Sequence, residues 1–363
     1  MLRLLFHAWE RRLASVTKDR VVRPFEWGLD WIPQNGHQPG APARSGAGGN
    51  PSDLIADWVS HVMADTDAFF TPEPTTDYIV TPGIAGDLLT FPSALATPHA
   101  ANNTVYCRYF PSASTVRLEA DTANQGKAAV LVLPQWNSDP GGHVGLCKLL
   151  AWSGMSALRL SLPYHDQRMP PELSRADYIV SANVARTVQV CRQAVLDARR
   201  AIAWLAMQGY DRIGILGTSL GSCLALLTTA HEPLIKAEAL NHVSPIFADV
   251  VWRGLSTQHV RAGLDGNIDL DLLRAFWMPI APRNYLERLR DRKTLLVYAR
   301  YDLTFPVDLS EDLVQAFRDL KIPHEVAVLR CGHYSIGKAP FKFVDGWILT
   351  RFLKRALNAE PRT

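Results

Sequence analysis

The chain has 363 residues, of which 47% are hydrophobic and 20% are charged, and these proportions are ordinary for a globular protein with a sizeable core. Its formal net charge of +3 is small for this length, and no block of lysine and arginine interleaved with aromatic residues is present. A nucleic-acid-binding surface is therefore not indicated, and we expect a neutral or weakly charged small molecule as the ligand.

The five cysteines lie far apart in the sequence and form no Cys-x-x-Cys pair of the kind that binds zinc. An odd number of scattered cysteines is typical of reduced, buried thiols, so the sequence predicts a cytoplasmic protein. We expect neither a metal site nor an organic cofactor. The cysteines are Cys107, Cys147, Cys191, Cys223 and Cys331.

Residues 1–52 are predicted to form an N-terminal arm and a flexible linker. The apolar run from Met1 to Trp9 is too short for a signal peptide. An amphipathic helix at 1–13 could rest on a membrane surface, but packing against the rest of the protein is the favoured interpretation. Residues 33–51 are rich in Gly, Pro, Ala and Ser and cannot bury much apolar surface, which indicates a flexible link.

Helical and strand-like patterns follow one another through the rest of the chain. A helix is predicted at 53–70, and short strand-like runs at 87–94 and 104–110 are suited to the antiparallel edge of a sheet. After residue 128, buried apolar strands alternate with helices, which is typical of a parallel sheet covered on both faces. The later strands are predicted at 129–133, 157–162, 213–216, 237–242, 294–298 and 325–329, and helices at 144–152, 188–205 and 220–229.

The pentapeptide Gly217-Thr218-Ser219-Leu220-Gly221 joins the strand 213–216 to the helix 220–229. A serine hydroxyl is a poor nucleophile at neutral pH, so an enzyme must expose it, pair it with a base and stabilise the oxyanion that forms. A sharp turn from strand to helix would expose Ser219, because the two flanking glycines remove side chains that would collide there. The backbone N–H of Leu220, at the helix N-terminus, is a candidate oxyanion donor.

The pentapeptide and the strand order around it resemble the α/β-hydrolase superfamily, over residues 128–353. The resemblance implies an α/β fold with a doubly wound, mostly parallel sheet. It also implies a catalytic domain at 53–363 and a helical cap insertion at 244–290. The nucleophile of such a domain would be Ser219.

In that superfamily the catalytic acid follows a late strand and the catalytic histidine follows the last one. Asp302 comes just after the strand at 294–298, and His333 comes just after the strand at 325–329. By the resemblance, His333 would take the proton of the nucleophile and pass it to the leaving group, while Asp302 orients the imidazole. Asp249 is the reserve candidate for the acid.

A second oxyanion donor is expected in the loop after the first core strand. Many relatives carry His-Gly there, whereas this chain has Pro134-Gln135. The backbone of Trp136 is the preferred donor and that of Gln135 is the alternative. The Trp136 side chain is equally suited to form a wall of the acyl pocket. His143 is interpreted as a structural residue at a helix start. His165 and its neighbour Asp166 are interpreted as residues that make hydrogen bonds within their loop, because adjacent residues seldom cooperate as a catalytic pair.

Two inserts are candidates for substrate selection. The first is the loop at 162–171, which contains Tyr164. The second is the cap at 244–290, whose aromatic residues either line an acyl pocket or form the core of the cap itself, and both interpretations stay open. The aromatic candidates in the cap are Phe247, Trp252, Phe276 and Trp277.

The resemblance implies hydrolysis of a small-molecule carboxylic ester through an acyl-enzyme. An acyltransferase would use the same three residues and would differ in excluding water from the site. A peptidase is less favoured, because the sequence contains no propeller-like repeat that would gate peptides. A catalytically silent binding protein that keeps the fold is the alternative from another class.

Overall fold

The computed structural model describes residues 2–17, 19–32, 49–84, 86–112 and 126–358. Most of the predicted flexible linker, residues 33–48, lies outside the described residues. The α-helices are α1 Leu2–Ala14, α2 Pro51–Ala64, α3 Thr66–Phe70, α4 Val144–Trp152, α5 Val184–Met207, α6 Leu220–His231, α7 Phe247–Arg253, α8 Gln258–Leu264, α9 Leu270–Phe276, α10 Val307–Asp319 and α11 Phe341–Asn358. The strands are β1 Ile79–Thr81, β2 Asp87–Pro92, β3 Thr104–Phe110, β4 Lys127–Leu133, β5 Ser156–Leu160, β6 Tyr210–Thr218, β7 Ile235–Asn241, β8 Lys293–Ala299 and β9 His324–Leu329.

The strands form one mixed sheet in the order β1-β2-β3-β5-β4-β6-β7-β8-β9. The six strands β4 to β9 are parallel to one another. The strands β1, β2 and β3 form an antiparallel edge, which joins the sheet where β3 pairs with β5. Parallel neighbours need crossover connections, and the helices supply them. The predicted doubly wound, mostly parallel sheet is confirmed.

The alternation of side chains along β4 shows how the sheet separates two cores. Val130 and Val132 face a layer that contains Leu150 of α4 and Leu353 of α11. Leu131 and its alternating neighbours face the opposite layer, built mainly from α5 and α6. Burial of each such side chain contributes about 1.5–3 kcal/mol, so both faces of the sheet must be covered for the domain to be stable.

Two of the differences from the sequence predictions have a local cause in the backbone. The helix predicted at 53–70 is interrupted at Asp65, which leaves helical geometry at φ −144° and caps α3 by accepting a hydrogen bond from the Ala68 N–H. An aspartate that caps a new helix leaves helical backbone geometry, so the preceding helix ends there. The strand predicted at 237–242 ends one residue earlier, and His242 adopts a left-handed conformation with φ 57°.

The described part of the N-terminal arm packs on the domain. Phe6 of α1 stacks on Tyr301, with ring centroids 4.5 Å apart. Further along, Glu26 forms an isolated parallel bridge with Asn183, at the start of α5. None of the described helices is both long enough and apolar enough to cross a membrane.

Candidate active site

The turn between β6 and α6 holds Ser219 in a conformation that few side chains adopt. Its backbone lies at φ 57° and ψ −121°. A Cβ atom on Gly217 would come within 2.1 Å of the Gly221 carbonyl oxygen, and one on Gly221 would come within 2.2 Å of the Leu133 carbonyl oxygen. Only glycine fits at either position. This tight turn therefore requires the glycines that flank Thr218-Ser219-Leu220 in the sequence.

The hydroxyl of Ser219 lies at one end of a continuous line of hydrogen bonds. His333 Nε2 lies 3.0 Å from Ser219 Oγ, and His333 Nδ1 lies 2.9 Å from Asp302 Oδ2. Phe305 stacks on the imidazole, with the two rings within 2° of parallel. Strand ends separated by more than a hundred residues in sequence thus bring together the three residues selected from the sequence.

Asp302 is buried, and its carboxylate is held by four donors. Oδ1 accepts hydrogen bonds from the backbone N–H groups of Thr304 and Phe305, at 2.7 and 2.8 Å. Oδ2 accepts from His333 and also from Nδ1 of His242, at 2.7 Å. Burial by itself would raise the pKa of Asp302, but the two imidazoles outweigh it and hold that pKa well below its usual range. Asp302 therefore remains an anion that can orient an imidazolium.

The two imidazoles and the carboxylate also offer three atoms that could bind a metal ion, all within 4.8 Å of one another. The distance from His242 Nδ1 to Asp302 Oδ2 is 2.7 Å. Adjacent ligands of a tetrahedral zinc ion are about 3.3 Å apart, given bonds of about 2.05 Å. The observed spacing is therefore that of a hydrogen bond between His242 and Asp302.

The loop after β4 lies against the turn that carries Ser219. Gln135, Trp136 and Leu220 all line the cavity that contains Ser219. The loop is fixed from behind, since His165 Nε2 accepts a hydrogen bond from the Asn137 N–H at 2.9 Å. All three candidate oxyanion residues therefore border the same cavity as the Ser219 hydroxyl.

The side chain of Trp136 forms a rigid wall of the cavity. Its indole N–H donates to the Ala176 carbonyl, at 2.9 Å. The indole ring is stacked on the His259 imidazole, and the Arg175 guanidinium lies 5.3 Å from the centroid of the indole ring. Held from several sides, the indole restricts the shape of any group that occupies the space in front of Ser219.

The cavity has a volume of about 860 Å³, and its apolar lining comes from both the insert and the last helix. The insert contributes Phe247, Val250 and Val251, and α11 contributes Phe343. A space of this size is large enough for a drug-sized molecule.

Several residues predicted to bind substrate lie elsewhere. In the part of the chain that the structure describes, the cavity lining includes none of Tyr164, Trp252, Phe276 and Trp277. Tyr164 is buried against His99, and the Trp277 indole donates to a backbone carbonyl of α5. Aromatic side chains of an insert can pack in the core of the insert as readily as they can line a pocket. Of the four aromatic candidates in the described insert, only Phe247 borders the cavity.

The other polar candidates have structural partners. Asp249 forms a paired interaction with Arg274, at 2.6 and 2.8 Å, and does not reach His333. His143 contacts the Thr218 hydroxyl at 3.0 Å, and burial lowers its pKa to about 4. Asp166 is bound by Arg159.

Two residues at the site were not found from the sequence. His242 is the second imidazole on Asp302, and the only signal for it was its place at the carboxyl end of a predicted parallel strand. Glu10 of α1 is fully buried, and its two carboxylate oxygens accept hydrogen bonds from the backbone N–H groups of Tyr334 and Ser335, at 2.8 and 2.9 Å. Glu10 thereby fixes the loop that carries His333, and no local pattern indicates a contact so distant in sequence.

Solved structures that share this architecture include both peptidases and esterases. The acylaminoacyl peptidase of Pyrococcus horikoshii matches with a TM-score of 0.56 at 14% identity, over 81% of this chain and 43% of the peptidase. An acetyl xylan esterase from a Paenibacillus species matches with a TM-score of 0.57 at 16% identity, over 92% of this chain and 100% of the esterase. Acetyl xylan esterase 1 from a Thermoanaerobacterium species gives 0.55 at 15% identity, over 85% and 94% of the two chains.

This chain therefore spans less than half the length of the Pyrococcus horikoshii peptidase and nearly the whole length of both esterases. By sequence, no protein-family model and no curated protein matches it. The likeness is one of architecture. The chain has the α/β-hydrolase fold.

Proposed function

We propose that this protein is a serine hydrolase that cleaves small carboxylic esters through an acyl-enzyme. The observation that carries the proposal is the line of hydrogen bonds from Ser219 Oγ through His333 to Asp302. This geometry is what nucleophilic catalysis by serine requires, with a base at the hydroxyl and an acid behind the base. The strained turn adds a second support, because it presents the hydroxyl at the end of a strand.

In the proposed reaction, His333 Nε2 removes the proton of Ser219 as Oγ attacks the ester carbonyl. The resulting oxyanion is stabilised by the backbone N–H of Leu220 and by that of Trp136 or Gln135. The imidazolium then gives its proton to the departing alcohol, which leaves an acyl group on Ser219. A water molecule activated by the same imidazole releases the acid. No cofactor is needed for these steps.

An ester is favoured over a peptide as the substrate. The two esterases are matched over nearly their whole length, whereas the peptidase has a large additional part that this chain does not match. The cavity next to Ser219 is mostly apolar, and the insert forms part of its wall, which suits the apolar acyl group of an ester. A comparison of aryl esters with the corresponding anilides tests this preference.

We also propose that residues 244–290 act as a cap. They form short helices between β7 and β8, and α7 places Phe247, Val250 and Val251 in the cavity wall. The catalytic domain would then extend over 53–363, as the resemblance implies. All five cysteines are free and buried, which fits the proposed cytoplasmic location.

Replacement of the nucleophile tests the proposal directly. Ser219→Ala should lower kcat for aryl esters by about three or more orders of magnitude, because no acyl-enzyme can form. Labelling with a fluorophosphonate probe should modify Ser219 in the wild-type protein and give no adduct in the variant. Ser310→Ala is the control, since this buried serine of α10 bonds the Val243 carbonyl and should leave labelling unchanged.

The outcomes separate the alternatives. Folded wild-type protein that takes no label on Ser219 would establish a silent binding protein. Labelled protein that turns over no ester in water, yet transfers an acyl group to an added alcohol or thiol, would establish an acyltransferase. Turnover of anilides at a rate equal to that of esters would contradict the proposed preference for esters.

A further inference from the structure

His242 is placed beside the triad by its backbone. It follows the last residue of β7, and its φ of 57° turns the side chain out of the strand direction. The His242 N–H donates to the Val297 carbonyl at 2.8 Å, and its carbonyl accepts from the Ser222 hydroxyl at 2.8 Å. These bonds tie the residue to β8 and to the helix that begins at the nucleophile. The imidazole position is therefore determined by the same turn that presents Ser219.

The His242 side chain is 1% exposed, and its Nδ1 lies 2.7 Å from Asp302 Oδ2, the same oxygen that His333 contacts at 2.9 Å. An ionised carboxylate can only accept hydrogen bonds, so both Nδ1 atoms must carry protons. Two donors thus share one oxygen, while the other oxygen is occupied by backbone N–H groups. The carboxylate has no freedom to rotate, and part of its charge is directed away from His333.

Other titratable groups also surround this pair of imidazoles. Asp345 of α11 comes close to His242, and its Oδ2 accepts from the Asn241 side chain at 2.9 Å. Burial raises the pKa of Asp345 to about 6. Tyr334 and Cys331 flank His333 in its loop, and Glu10 reaches that loop from α1. Within the described part of the chain, the only side chains that make a hydrogen bond to the Asp302 carboxylate are those of His333 and His242.

We propose that His242 is a positioning residue of the triad, which holds the Asp302 carboxylate in place and, by sharing its charge, sets the pH range in which His333 acts as a base. This inference rests on the proposed function. The direction of the effect follows from electrostatics. When the His242 donor is removed, more negative charge remains on Oδ2, and that charge stabilises the imidazolium form of His333. The base is then protonated at a higher pH, and activity is lost earlier on acidification.

The test measures the second-order rate of fluorophosphonate labelling of Ser219 against pH. His242→Leu should move the acidic limb of this profile upward by about 0.5 to 1 pH unit. His242→Asn should leave the limb near its wild-type position, because the Asn amide nitrogen can stand where Nδ1 stands and still donate. A role in stability alone would change the amount of folded protein and would not move the limb.

A second measurement keeps the inference testable if the leucine variant does not fold. Proton NMR of the wild-type protein should show two low-field imidazole N–H signals, one for each nitrogen that donates to Asp302. His242→Asn should remove one of them and leave the signal of His333. A single low-field signal in the wild type, unchanged in His242→Asn, would overturn the inference.

The two proposals fail in different ways. If wild-type Ser219 is not labelled at any pH, the proposed function is wrong. If it is labelled and the acidic limbs of wild type and His242→Leu coincide, the hydrolase assignment stands and the role of His242 is wrong.

Discussion

Asp302 shows how burial and hydrogen bonding together select a role for one carboxylate. Buried without partners, an aspartate would become neutral and could not stabilise an imidazolium. Four donors keep Asp302 ionised, and two of them are backbone groups that its own turn provides. Asp249 is buried as well, but its partner is Arg274, so its charge is already neutralised at a distance from the base.

Exchange of each aspartate for asparagine should separate these roles. Asp302→Asn should lower kcat/KM roughly a thousandfold or more, because an amide N–H facing His333 would favour the wrong tautomer of the imidazole. Asp249→Asn should weaken a salt bridge and change kcat/KM by no more than a few-fold. Ester turnover at saturating and limiting substrate measures both. Nearly full activity in Asp302→Asn, with a large loss in Asp249→Asn, would move the acid to Asp249.

Helix α1 contacts the loop that carries His333 through Glu10. Its Glu10 bonds two consecutive N–H groups just after His333, and Gly332 just before His333 packs directly on that carboxylate. A Cβ atom at Gly332 would come within 2.3 Å of the Glu10 side-chain carboxyl carbon. The helix and the loop therefore fit each other, and the loop conformation depends on the helix.

Glu10→Gln and Gly332→Ala should each lower kcat/KM by about tenfold, because either change disturbs the backbone that aims the imidazole. Glutamine can accept only one of the two hydrogen bonds, and the alanine methyl group would displace the carboxylate. Glu26→Gln is the matched control, since that side chain is half exposed and lies away from the base. Wild-type kinetics in both test variants would show that the loop holds its shape unaided.

A pH-dependent contribution to stability arises where β7 meets β8. Burial raises the pKa of Glu238 from 4.5 to about 7, although the Thr294 hydroxyl donates to its carboxylate at 2.9 Å. Between those pH values the folded protein keeps a proton that the unfolded chain has released. The free energy of unfolding therefore falls as pH rises through this range, by about 1.4 kcal/mol per unit and about 3 kcal/mol in all.

Glu238→Gln should remove this dependence, because the amide stays neutral at every pH. The free energy of unfolding of the variant minus that of wild type should be larger at pH 8 than at pH 4.5. Urea unfolding of both proteins at the two pH values measures this difference. Glu325→Gln, at an exposed position of β9, should show no such difference. An equal stability difference at both pH values for Glu238→Gln would mean that Glu238 is ionised in the folded protein.

In the molecule as a whole, some features could be predicted from the sequence and others could not. The strands after residue 128 and the turn at Ser219 could be predicted, because apolar periodicity and the two flanking glycines are local signals. Asp302 and His333 were identified through the resemblance to the α/β-hydrolase superfamily, which implies an acid and a histidine after late strands. His242 and Glu10 could not be found in this way, since each acts through a partner at least 60 residues away and neither belongs to a recognisable local pattern.

The aromatic residues of the insert show the opposite limitation. Trp252, Phe276 and Trp277 were candidates for a pocket, yet a large ring contributes as much free energy by packing inside the insert as by facing a ligand. Phe276 and Trp277 are buried, and neither borders the cavity. Composition alone cannot decide between these outcomes, because both bury the same apolar surface.

The bond between Glu10 and the N–H of Ser335 spans 325 residues, so it joins an early-synthesised segment to a late one. During synthesis on the ribosome, Ser219 and its strained turn emerge well before His333. Until Ser335 has been made, Glu10 lacks this hydrogen-bond donor. A partly made chain can thus carry a nucleophile that has no base. If the proposed function holds, reactivity toward esters would need His333 and would reach its full level once the late segment has closed onto the first helix.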